Sequence, residues 1–198
     1  MKERIHLKKW VRFFMSFLQG QILSMYTNIL CIKKKGDMQM STKKYSKVLV
    51  KAIRDFLDKD GWKYSFDKEY GVFLFSLSMD SVIDRIDYYV FVHEKHYVVR
   101  TNFPVEADVE DPEMMSRLAE FICRANRNLV AGNFQLDYGD GMITYKNFVD
   151  CDCCVPPETI IAHSICKIAA VYDVYGPGIL DVLDGKKSPK DAVDECEK

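Results

Sequence analysis

Between Trp62 and Phe103 apolar and polar residues alternate through four short runs, and this pattern constrains the fold more than any other feature of the chain. The runs are Trp62–Asp67, Gly71–Met79, Ile86–His93 and His96–Phe103. Side chains on a strand point to opposite faces in turn, so Phe73, Phe75, Leu77 and Met79 share one face. Only short connections part the runs, the last being Glu94-Lys95. Parallel pairing needs a crossover of about a dozen residues or more, so these strands form an antiparallel meander.

Helical periodicity surrounds the meander. Ser41–Asp60 places Val48, Leu49, Ala52, Ile53, Phe56 and Leu57 at helical spacing, and Gly61 supplies a stop. After Pro104 an acidic loop leads to Asp111, an N-cap, and Pro112 at the first helical position. That helix carries Met114, Met115, Leu118, Phe121, Ile122, Ala125 and Leu129 as an apolar stripe. Gly132–Tyr138 and Met142–Asp150 read as a hairpin around Gly139-Asp140-Gly141. A third helix, Pro157–Tyr175, is apolar most of the way round and is expected to end at Gly176-Pro177-Gly178. Ser188 caps a short acidic helix from Pro189. The expected class is α+β, an antiparallel sheet with helices packed on one face. If Ile86, Tyr88, Val90 and Val92 face the helices, Tyr89 and Phe91 point the other way. Two outward aromatics and an over-apolar third helix point to a dimer or a peptide groove, with a covering helix as the alternative.

Charge is unevenly spread. Eight of the 28 Lys and Arg, and two of the 29 Asp and Glu, fall within residues 1–37. Residues 38–198 therefore keep 20 basic and 27 acidic groups, a net charge of −7. Phosphate binding relies on Lys and Arg, so nucleic acid is not an expected partner. The seven cysteines are odd in number and do not read as a disulfide framework, which fits a reducing cytoplasm. Residues 13–32 hold no charge and are flanked by lysines and arginines, yet contain Gln19, Gln21 and Asn28. A membrane is a partner only if this stretch is genuinely translated. The preferred reading divides the chain into a basic apolar leader, residues 1–39, and one domain, residues 40–198. Lys35-Gly36-Asp37 can be encoded by a purine-rich ribosome-binding sequence ahead of Met38 and Met40.

The body resembles the bacterial YbjN-domain proteins. The Phe134–Lys146 hairpin, Val149-Asp150-Cys151, Pro157-Glu158, Tyr172-Asp173-Val174-Tyr175-Gly176-Pro177-Gly178 and Ser188-Pro189-Lys190-Asp191-Ala192 carry the resemblance. It implies a fold like that of type III secretion chaperones, in the order α-β-β-β-α-β-β-α. It also implies a cytoplasmic, homodimeric, chaperone-like protein of a family described as sensory transduction regulators. It brings no catalytic residue and no cofactor.

The constellations of reactive groups are sparse. Cys151, Cys153 and Cys154 crowd three thiols into four positions, whereas a zinc site commonly uses two separated pairs. His93 and His96 flank a turn, and His163 lies within a helix. Gly176-Pro177-Gly178 follows a helix rather than opening one, so it does not cradle an anion. The expected function is therefore non-enzymatic: recognition of a protein partner through Tyr89, Phe91, Ala169 and Val174. The alternatives are a metal- or redox-responsive regulator using Cys151, Cys153 and Cys154, and a membrane-tethered adaptor.

Overall fold

A computed structural model describes residues 44–198, so the expectations for residues 1–39 lie outside the described residues. In chain order the elements are α1 (Lys47–Asp60), β1 (Tyr64–Asp67), β2 (Val72–Ser78), β3 (Arg85–Val92), β4 (His96–Asn102), α2 (Pro112–Asn126), β5 (Asn133–Leu136), β6 (Ile143–Asp150), α3 (Glu158–Leu183) and α4 (Pro189–Cys196). The strands form one antiparallel six-stranded sheet in the order β1-β2-β3-β4-β6-β5. The α+β class holds. The chain has one more strand in its meander than the α-β-β-β-α-β-β-α order, and a short closing helix. Among the described residues no helix is long and apolar enough to cross a membrane.

Helix starts follow side-chain chemistry. Ser46 caps α1 by accepting from the Leu49 N–H at 3.2 Å, and its own N–H donates to the His93 carbonyl. The helix therefore begins at Lys47 rather than Ser41, with Lys44 and Tyr45 outside it. Asp111 caps α2 through the N–H groups of Glu113 and Met114. Ser188 caps α4 as its position before Pro189 implies.

One expectation fails. Helix α3 does not stop at Gly176-Pro177-Gly178 but runs through it to Leu183. Pro177 gives up a single ladder bond, to the carbonyl of Asp173, which lies on the exposed side of the helix. Burial of Ile179, Val182 and Leu183 keeps the helix going. The glycines serve close approach instead: a Cβ on Gly176 would lie 2.7 Å from Ile83, and one on Gly178 2.7 Å from Cys196 Sγ and 2.9 Å from the Phe121 ring.

One face of the sheet, carrying Phe73, Tyr88, Val90, Tyr97 and Tyr145, forms a single buried cluster with apolar residues of all four helices. Each such side chain contributes about 1.5–3 kcal/mol on burial. Hydroxyls buried in this layer are paired where α3 crosses β4. Tyr97 Oη meets Ser164 Oγ at 2.9 Å, and Thr101 Oγ1 meets Tyr172 Oη at 2.9 Å. These pairs fix the position of α3 against the sheet at little net desolvation cost.

Candidate protein-contact surface

The sheet face turned away from the helices is built by register. One row runs Asp67–Val72–Phe91–Val98–Phe148 across β1, β2, β3, β4 and β6. The next runs Ser65–Leu74–Tyr89–Arg100–Lys146. Apolar groups thus form a band over the middle strands with charged residues near its ends. Val72, Leu74, Tyr89 and Val98 are buried, Phe91 is half-buried, and Phe148 is 56% exposed.

Tyr89 corrects an expectation. It faces away from the helices as alternation requires, but it is only 1% exposed and offers no ready contact area. It sits mid-sheet between Leu74 and Arg100, and burial at this point extends to both faces of the sheet. Strand alternation reports direction, not cover, which is why the sequence reading overestimated its exposure.

The four expected contact residues do not form one surface. Phe91 lies on the outer face. Ala169 and Val174 belong to α3, which packs on the opposite face through Ile161, Ile165, Ile168 and Tyr172. Ala169 is half-buried against the core, and Val174 is exposed. The residue missed is Phe148. Its signal was present: Lys146 and Asp150 share its strand face, so alternation puts Phe148 among polar neighbours. Its ring stands 5.0 Å from that of His96, which stacks in turn on His93 at 4.4 Å.

The thiol-rich segment follows β6. The Cys151 N–H donates to the Lys95 carbonyl, and its thiol points to the Val149 carbonyl at 3.5 Å. Burial, followed by the charges of Asp150 and Cys154, pushes the Cys151 thiol up, away from the reactive thiolate. Cys153 and Cys154 are exposed, while Asp152 pairs with Lys95 at 2.8 Å. Among the described residues no three His, Cys, Asp or Glu side chains come together to hold a metal ion.

Elsewhere the shifted groups are surface ion pairs, such as Lys190 with Asp194, and phenols and a thiol of the core. Burial pushes Tyr97 and Tyr145 up to about 12 each. Tyr175 also rises to about 12, through burial and then the Glu197 carboxylate that accepts its proton. Burial raises Cys166 to about 11. Tyr145 donates to the Ala131 carbonyl in the loop before β5, Tyr97 joins β4 to α3 through Ser164, and Tyr175 joins α3 to Glu197 just after α4. Comparison with protein-family models, curated proteins and solved structures finds no match to this chain.

Proposed function

We propose that this chain is a non-enzymatic, cytoplasmic, chaperone-like regulatory protein of YbjN type that holds another protein against its sheet. The observation that carries the reading is the apolar row Val72–Phe91–Val98–Phe148, which ends with Phe148 largely in water. Covering apolar area yields about 25 cal/mol per Å², so a partner that shields Phe148 and the rest of Phe91 gains affinity there. Lys146 and Asp150 flank Phe148 on its strand and supply a polar rim of the kind that surrounds such anchors. An extended or amphipathic segment of the partner fits this face, in the manner of strand addition or of a helix laid in a groove. The perturbed phenols support the same reading, because each of Tyr97, Tyr145 and Tyr175 has a structural hydrogen bond as its use.

The test is affinity capture from the native cytoplasm, comparing the natural protein with a Phe91→Ala, Phe148→Ala double variant. The reading expects a specific partner for the former and at least a tenfold loss for the latter, with circular dichroism unchanged. Equal capture by both would remove the outer face from the mechanism.

A further inference from the structure

Strand β5 covers only half of β6. Its register runs from Leu136 opposite Ile143 to Asn133 opposite Lys146 and stops there, while β4 accompanies β6 as far as Asp150. The cause is local. Gly132 takes φ +83°, and a Cβ there would stand 2.7 Å from the Lys146 carbonyl oxygen and 2.7 Å from Tyr145 Oη. The chain thus joins the sheet through a backbone turn that only glycine accepts readily, and earlier residues do not pair with β6. A recess one strand wide and four residues long lies beside Asn147–Asp150.

Backbone groups point into this recess. The Ile143 carbonyl serves Phe103 and the Cys151 N–H serves Lys95, so odd positions of β6 face β4. Met142 bonds to Asp137, so even positions face the β5 side. Phe148 and Asp150 therefore aim their N–H and C=O groups into the recess, with no strand beside them among the described residues.

Such an edge is commonly blunted by proline, lysine or a bulge. Here Asn147-Phe148-Val149 contains none of the protecting residues, and charge appears only at the ends, as Lys146 and Asp150. Of the ten large apolar residues exposed among the described residues, one lies on this edge and three on segments that adjoin β5 or β6 in sequence. They are Phe148, Val155 just after β6, Ile160 in the first turn of α3, and Val130 just before Gly132. Asn147 Nδ2 donates to the Ser164 carbonyl, which holds that part of α3 beneath the edge. This concentration of exposed apolar groups marks a place built to be covered.

We infer that β6 from a second copy of this chain fills the recess. The inference rests on the protein-binding reading and assigns one of its surfaces to self-association. Two features select a second copy. The recess beside Asn147–Asp150 has the length of the segment that forms it, so two copies related by a twofold axis at Val149 fill each other's gap. Phe148 of each copy then exchanges N–H and C=O bonds with Asp150 of the other. The order of charge along β6 also matches itself. Pairing of Phe148 with Asp150 of the second copy places Lys146 diagonal to that Asp150, opposite charges within reach on one face. The two sheets become one, and their outer apolar faces become continuous.

The experiment is the solution mass of the full-length chain by sedimentation velocity. The natural chain is expected at twice its 23.0 kDa mass. Phe148→Pro removes an N–H aimed into the recess but no bond to β4, so it should give a folded monomer. Lys146→Asp and Asp150→Lys should each be monomeric alone and dimeric when mixed, because mixing restores both opposite-charge contacts. A natural chain that stays monomeric at roughly 100-fold range of concentration would overturn the inference, as would a dimer indifferent to all three substitutions. Lys146→Asp retains Phe91 and Phe148, so a monomer that still captures its partner separates self-association from partner binding. A dimer that captures nothing would instead count against the partner reading alone.

Discussion

Alkaline pH should unfold this protein through its buried phenols, by an amount that follows from their burial. Tyr97, Tyr145 and Tyr175 each stand at about 12 in the fold, against 10.0 for a free phenol. In the unfolded chain they ionise near the ordinary value, while in the fold they hold their protons. Stability is therefore whole below about pH 10 and is lost progressively as pH rises toward about 12. Two pH units correspond to about 2.7 kcal/mol per buried phenol, so Tyr97 and Tyr145 together approach about 5 kcal/mol, a large part of a domain's stability. Tyr175, whose hydroxyl meets the exposed Glu197, adds less. Tyr88 and Tyr172 are raised further by burial and add to the effect at the upper end. Denaturant melts at pH 8, 10 and 11, followed by near-ultraviolet circular dichroism and phenolate absorbance, give the curve. Tyr175→Phe sharpens the test. It loses the bond to Glu197, worth about 1 kcal/mol at neutral pH, but should fall less steeply above pH 10. Phenolate absorbance accounting for all eleven tyrosines near pH 10 with the tertiary signal intact would refute the reasoning.

Three further outcomes follow from particular contacts. Gly178→Ala gains about 1 kcal/mol of helix propensity but drives a methyl against Phe121 and Cys196, so a net loss of about 1–2 kcal/mol is expected in urea melts. Asp111→Ala leaves the N–H groups of Glu113 and Met114 without their cap and should cost about 1 kcal/mol by the same measurement. Replacing Cys151, Cys153 and Cys154 together by Ser should leave partner capture and bound-metal content unchanged, and a change in either would favour a thiol-based regulator.

Much of the architecture could be read along the chain because the deciding interactions are local. Alternation through Phe73, Phe75, Tyr88 and Val90 set strand direction and inner face, and short connections forced antiparallel order. Asp111 and Ser188 announced their helices through cap chemistry. Gly176-Pro177-Gly178 misled because its local meaning, a stop, yields to tertiary burial of Ile179 and Val182 beyond it. The candidate surface was harder to read. Direction placed Tyr89 and Phe91 correctly on the outer face, but exposure depends on what lies above a strand, which alternation does not encode. Alternation with Lys146 and Asp150 gave the direction of Phe148, but the openness of its edge comes from β5 stopping at Asn133, a property of pairing between distant segments.

The proposal that this chain offers surface to another protein, a second copy included, is checked most directly by amide hydrogen exchange at Phe148 and Asp150, measured at low and high protein concentration. Strand pairing with a second copy predicts fast exchange when dilute and at least tenfold protection when concentrated, while Asn147 and Val149 stay protected by β4 throughout. Equal and rapid exchange of Phe148 and Asp150 at both concentrations would contradict it.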